Sequence, residues 1–252
     1  DTDDEEHLIP NVLKWKIKTL KFLTSEVTKN IKFLDGHMVR LAMQQRYRRL
    51  VMDKIEKEKL YTSAYMLSDY HKKCTGFYSH KANCSNDTKT SIEGHFILIP
   101  VPTANTNGVD WDQFEDINPD NLPSDFTGFI GISFHQLSDD VTQSKENTLA
   151  NRIEILKFVK SKFPHITNVY CQSDGATNYN NNFLAAACCL FHRWTGIHVK
   201  SYCFNEPGHG ADIVDKDGAA SNKHNWLHAK QNEKGIYGAN AIAEASDTNP
   251  IP

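Results

Sequence analysis

At 252 residues, 39% hydrophobic and 23% charged, the chain can bury a sizeable core and is too apolar for wholesale disorder. The net charge of -3 excludes a uniformly basic nucleic-acid binder, yet Asn11 to Leu60 holds thirteen Lys and Arg against five Asp and Glu, which leaves the remainder acidic. No run of 18 apolar residues is present, so no segment has the composition of a membrane-spanning helix.

A basic arm on an acidic body is a layout suited to gripping a polyanion. The chain does not begin with Met and shows no signal peptide, so it reads as an excised fragment of an intracellular protein. Six cysteines are too sparse for a disulfide scaffold, and Cys171, Cys188, Cys189 and Cys203 sit in apolar runs, as reduced core cysteines do.

Residues 1–6 form an acidic lead. From His7 to Asn30, Leu13, Ile17, Leu20 and Val27 recur at helical spacing with lysines between them. Asp35-Gly36 interrupts that pattern. A second helical stretch runs to about Lys59, with Met38, Leu41, Ala42, Met52 and Ile55 beside Arg46, Arg48 and Arg49. The spacing predicts a basic helical hairpin over residues 1–60, followed by one larger domain over 61–252. Two readings of the basic residues stay open: a solvated face whose Lys and Arg stems cover apolar surface, or direct contact with nucleic acid.

Tyr61 to Tyr70 is apolar and aromatic and predicts a first strand carrying Asp69 near its end. Polar turns follow over 71–94, around a short strand at Gly76 to Ser79. His95 to Val101 predicts a second strand, with Pro100 at an edge or strand end. Residues 102–127 read as a long loop insertion, Gly128 to His135 as a strand, and Ser144 to Lys162 as an amphipathic helix stopped by Pro164. A strand to Cys171, a helix over about 181–195, a strand from Ile197 to Phe204, a loop and a final helix complete the pattern. The last fifteen residues lose their periodicity. Early strands that meander and later ones joined through helices predict an α/β fold built on a mixed sheet.

The chemistry sits in acids at element ends. Asp69 and Asp174 each follow an apolar strand, which in isolation is ordinary turn chemistry. Asp212, Asp215 and Asp217 open the last helix, where the helix dipole favours them. Two strand-end carboxylates and one helix-start carboxylate meeting at a sheet edge would repel one another unless divalent cations neutralised them. Mg²⁺ takes such oxygen ligands, and two ions about 4 Å apart can stabilise both oxygens of an in-line phosphoryl displacement.

Three stretches carry a family resemblance: Leu67-Ser-Asp-Tyr70, Ser173-Asp-Gly-Ala176, and Glu206 to Ala219, EPGHGADIVDKDGA. They resemble the RNase H-like catalytic core of eukaryotic DDE transposases and their domesticated relatives, nearest the Mutator-like and Kolobok-like groups. Those cores carry an Asp on the first strand, a Ser-Asp-Gly/Asn-Ala stretch closing the fourth, and a Gly-Lys-Gly loop leading to an Asp that opens the following helix. The resemblance implies metal-dependent cleavage and joining of DNA strands in the nucleus. It implies Asp69, Asp174 and Asp215 as catalytic ligands of Mg²⁺ or Mn²⁺, with Asp212 and Asp217 as alternatives for the third and Glu206 as a further acid. His209, Lys216, Arg46, Arg48 and Arg49 would then face double-stranded DNA, and a homo-oligomer is compatible with the reading.

The chain departs from the pattern in three places. His209 replaces the usual lysine, Val214 a usual cysteine, and the chain ends soon after the third acid, as if truncated. A non-catalytic DNA- or protein-binding module of the same fold, and another RNase H-like nuclease such as a resolvase, are the alternatives. Separately, His71, Cys74, His80 and Cys84 fall within fourteen residues and could hold a structural zinc or be incidental to a polar loop.

Overall fold

The computed structural model describes residues 11–70, 89–101, 128–205, 212–231 and 238–248. The strand predicted at 76–79, the zinc constellation His71, Cys74, His80 and Cys84, and the loop over 102–127 lie outside them. The chain divides into two compact units, Asp1–Met43 and Gln44–Pro252.

Helix α1 (Asn11–Lys57) is continuous, so the hairpin expected from Asp35-Gly36 does not form. Without a proline there, the local cost of helix is only about 1 kcal/mol for Gly relative to Ala, which the long flanking turns carry. Residues 11–43 of the helix belong to the first unit and residues 44–57 to the second.

The second unit is built on a five-stranded mixed sheet with strands β1 (Ser63–Tyr70), β2 (Ser91–Val101), β3 (Gly128–Ser138), β4 (Asn168–Ser173) and β5 (His198–Phe204), in the order β3-β2-β1-β4-β5. β2 runs antiparallel to both β1 and β3, whereas β1, β4 and β5 are mutually parallel neighbours. The predicted α/β class is therefore present. Pro100 pairs with Phe129 of β3 at a level past the reach of β1, so its missing N–H breaks no ladder on that side.

Side chains alternate across the sheet, and each face is buried by helices. On one face, Ala64, Met66, Ile97, Ile99, Ile132, Val169 and Cys171 pack with α2 (Lys145–Lys162), which supplies Ile155, Leu156 and Val159. Ala187 and Phe191, from the short helices α3 (Asn182–Ala187) and α4 (Phe191–Thr195), complete that core. On the other face, Tyr65 and Leu67 pack with Val51 and Ile55 of α1 and with Val214 of α5 (Asp212–Gln231).

The helix starts follow their capping residues. Ser144 accepts the Asn147 amide at 3.2 Å to open α2, and Asn181 accepts the Leu184 amide at 2.9 Å to open α3. The single helix predicted over 181–195 is split at residues 188–190, a break that no Pro or Gly in the local sequence explains. α4 closes on Gly196 at φ 75°, a left-handed conformation that needs no Cβ. Gly196→Ala is expected to cost about 1–2 kcal/mol, read as a lower midpoint in urea unfolding at unchanged slope.

Two further features differ from the sequence reading. Helix α6 (Gly238–Thr248) forms where no periodicity marks one. Its Ala239 amide donates to Asp139 at 2.8 Å, and Ile242 and Ala245 are buried with Ala229 and Leu137. The cap thus comes from a residue a hundred positions earlier. Among the described cysteines all are free thiols, but only Cys171 is fully buried; Cys189 is exposed.

Candidate functional site

The site grows from the register of the two central parallel strands. Ser68 of β1 lies opposite Ser173 of β4, so the residues that follow, Asp69 and Asp174, emerge side by side at the carboxyl ends of these strands. That edge is where open α/β sheets place their ligands. Asp69 points to the sheet face covered by α1 and α5. It continues the alternation Tyr65, Leu67, Asp69, and it is buried, with 8% of its surface exposed. Asp174 is half-buried and accepts the Gly175 amide at 2.8 Å. Asp215 stands exposed in the first turn of α5, beside the buried Val214 that seats the helix on the sheet.

Two of these acids act on the third. Burial, then the charges of Asp174 and Asp215, push the Asp69 carboxyl up to about 7, against the pull of the Tyr70 amide. A carboxylate so placed carries a proton about half the time at neutral pH. The donor set is all carboxylate oxygen, which suits a hard cation such as Mg²⁺ or Mn²⁺. Among the described residues, no three His, Cys, Asp or Glu side chains stand close enough together to hold one ion. The acids are thus joined by their field and not yet at a single point.

Behind the two aspartates, on the opposite sheet face, lies a buried polar network that no sequence motif marks. Arg152 of α2 is 3% exposed, and its guanidinium spans both strand ends. Nη1 donates to Ser68 Oγ at 2.8 Å, and Nη2 donates to the Tyr202 hydroxyl at 3.3 Å. That hydroxyl also accepts from Ser173 Oγ at 3.1 Å. One side chain therefore ties together the serines that precede Asp69 and Asp174.

Ser68 Oγ also bonds His95 Nδ1 at 2.8 Å, and His95 Nε2–H donates to Gln136 Oε1 at 2.7 Å, so the network runs on from β1 to β3 through β2.

Glu93, fully buried on β2, is the charge that answers Arg152. It accepts from Asn151 Nδ2 at 2.7 Å and from the Tyr179 hydroxyl at 3.0 Å, and Tyr70 donates to it as well. Burial raises the Glu93 carboxyl while Arg152 and these donors hold it down. Burial also works against the Arg152 charge, but Tyr202, Cys171 and Glu93 around it keep it cationic. Both residues could have been suspected from phase alone. Arg152 falls on the buried stripe Thr148, Arg152, Ile155, Val159, and Glu93 and His95 are in step with Ile97 and Ile99.

The other predicted site residues are dispersed. Lys216, Arg46 and Arg49 are exposed, and Arg48 is half-buried within electrostatic reach of Tyr65. Tyr47 of α1 bonds Ser201 of β5, which fixes this part of α1 to the sheet, and Tyr65 of β1 bonds Gln172 of β4 beneath it. His209 and Glu206 lie outside the described residues. Asp212 and Asp217 are on α5, with side chains outside the described set. Among the described residues, no helix is long and apolar enough to cross a membrane.

No curated protein and no solved structure matches the chain. A family model described as a domain of unknown function (DUF8701) matches residues 128–249, a span that takes in Arg152, Asp174 and Asp215 and leaves out Asp69 and α1.

Proposed function

We propose that the chain is an RNase H-like catalytic core of the DDE transposase type, cleaving and joining DNA strands in the nucleus. The observation that carries this reading is the action of Asp174 and Asp215 on the buried Asp69, from three separate elements. A place on the first strand, just past the close of the fourth, and in the first turn of the helix that follows the fifth is similar to the layout of the family that the motifs resemble.

Asp69 and Asp174 would hold Mg²⁺ or Mn²⁺ with Asp215, and Asp212 or Asp217 could take the third position. The bound ions would activate the attacking water or 3'-hydroxyl and stabilise the leaving oxygen. The protein's own part is positional. Arg152 fixes both strand ends through Ser68 and Ser173, and the Asp69 carboxyl gives up its proton as a cation arrives. Lys216, Arg46, Arg48 and Arg49, with His209, would meet the phosphate backbone of double-stranded DNA, so affinity should fall steeply with salt.

The test is nicking of duplex DNA in Mn²⁺. Asp174→Asn is expected to abolish divalent-dependent cleavage while leaving the unfolding transition intact, and undiminished nicking by that variant would sink the proposal. One observation favours a second reading, a non-catalytic module of the same fold: among the described residues, no three acids converge within ligating distance. Mn²⁺ titration separates the two, because only the catalytic reading expects saturable binding that is lost in Asp69→Ala.

A further inference from the structure

We propose that residues 13–41 of α1 form one strand of a parallel, two-stranded coiled coil whose other strand is a second copy of this chain. Leu13, Ile17, Leu20, Thr24, Val27, Ile31, Leu34, Met38 and Leu41 follow one another at alternating steps of four and three. That spacing is a strict 3.5-residue repeat sustained for four heptads, and it runs within one unbroken helix. A helix that lies on its own globular body carries a broader stripe of period 3.6.

Over Val27 to Met38 the seam is open in the single chain: Val27 is 56% exposed, Ile31 55%, Leu34 56% and Met38 56%, while Leu41 is half-buried and Leu23, Phe33, Val39 and Met43 are exposed off the seam. Four such residues in line exceed the scattered apolar exposure of an ordinary surface.

The identity of the residues selects the partner. Three of the four a positions are β-branched (Ile17, Thr24 and Ile31, with Met38 the fourth), and four of the five d positions are leucine (Leu13, Leu20, Leu34 and Leu41, with Val27 the fifth), close to the combination that favours two parallel strands. A seam of identical sequence is complementary to itself in that register, each a residue facing its own counterpart. Asn30 at g then faces Asp35 at e of the other copy, and Lys16 against Lys21 is the one like-charge pair. Burying nine such side chains per copy covers about 1,000–2,000 Å² in all, which reaches the ~1,000 Å² that a specific interface needs. The inference is independent of the metal chemistry: a catalytically silent chain would still dimerise.

Sedimentation of the full chain at tens of micromolar is expected to give twice its 28.6 kDa mass. The double substitution Ile31→Lys, Leu34→Lys should halve that mass while the melting transition of the sheet-bearing unit stays in place. Phe33→Lys changes an exposed apolar residue off the seam and should leave the dimer whole. Under oxidation, Thr24→Cys should form a disulfide-linked pair that the parent chain, with its six native cysteines, does not. A monomeric parent, a trimer or tetramer, or equal dissociation by Phe33→Lys would each overturn the proposal. A Thr24→Cys chain that sediments as a dimer without cross-linking would overturn the parallel arrangement.

Discussion

Arg152→Met is expected to lower the stability of the sheet-bearing unit by about 3–5 kcal/mol, among the largest effects of any single substitution in the chain. The guanidinium is buried, so water does not replace it. Its removal strands Glu93 at full burial without the positive charge that opposes the rise of its pKa. It also takes away the donor to Ser68 and one of the two donors to the Tyr202 hydroxyl. At roughly 2–4 °C per kcal/mol for a domain of this size, the melting temperature should fall by about 6–20 °C.

The double variant Arg152→Met, Glu93→Gln should recover a large part of the loss, because it removes the stranded charge with the partner. A double variant as unstable as the sum of the two single ones would show that the charges are not coupled. Arg152→Lys keeps the charge but loses the fork that reaches Ser68 and Tyr202 together, and should fall between parent and Met. A purely structural role predicts no change at the acids. The geometry predicts one: Mn²⁺ affinity should drop in Arg152→Lys even where the chain stays fully folded, since β1 and β4 no longer share a clamp beside Asp69 and Asp174.

The same network shows what a sequence reading can and cannot reach. Alternation and caps made β1, β5 and α2 legible almost to the residue, because these signals are local. Asp69, Asp174 and Asp215 stand out in the sequence through short motifs, and the action of Asp174 on Asp69 rests on a sheet order that brings β1 beside β4 across a hundred residues. Arg152 and Glu93 have the composition of surface charges, and only their phase with buried neighbours marks them in the sequence; their partners Ser68 and Asn151 come from the register. β2 was started too late for the same reason: Glu93 and His95 interrupt an apolar run that the buried network makes sense of. Asp35-Gly36 has the composition of a turn, yet nothing obliges a helix to stop where no proline stands. α6 needed the Asp139 cap, which no local window contains.

Asp69→Asn is expected to make the metal-free chain more stable at pH 8 and to remove a pH dependence that the parent carries. The ordinary carboxyl value is 3.8, and in the fold it stands at about 7. The folded state therefore holds a proton that the unfolded chain releases. The stabilisation from that proton is complete below pH 4 and is lost as pH rises through 7, up to about 4 kcal/mol for a shift of this size. His165 works in the opposite direction. Burial, then the charge of Lys160, lower it to about 4, so its contribution is lost as pH falls from 6.5 through 4. The two slopes overlap, and the parent's own curve would hide both. Subtracting the Asp69→Asn curve, measured by urea unfolding in EDTA from pH 4 to 8, isolates the Asp69 term. Saturating Mn²⁺ should flatten that difference, because a cation favours the ionised carboxylate and competes with the proton. Below pH 7, Mn²⁺ affinity should accordingly fall by about tenfold for each pH unit that Asp69 must be deprotonated against. A difference curve flat from pH 4 to 7 would mean that Asp69 does not feel Asp174 and Asp215. The acid site would then be three unrelated turn residues.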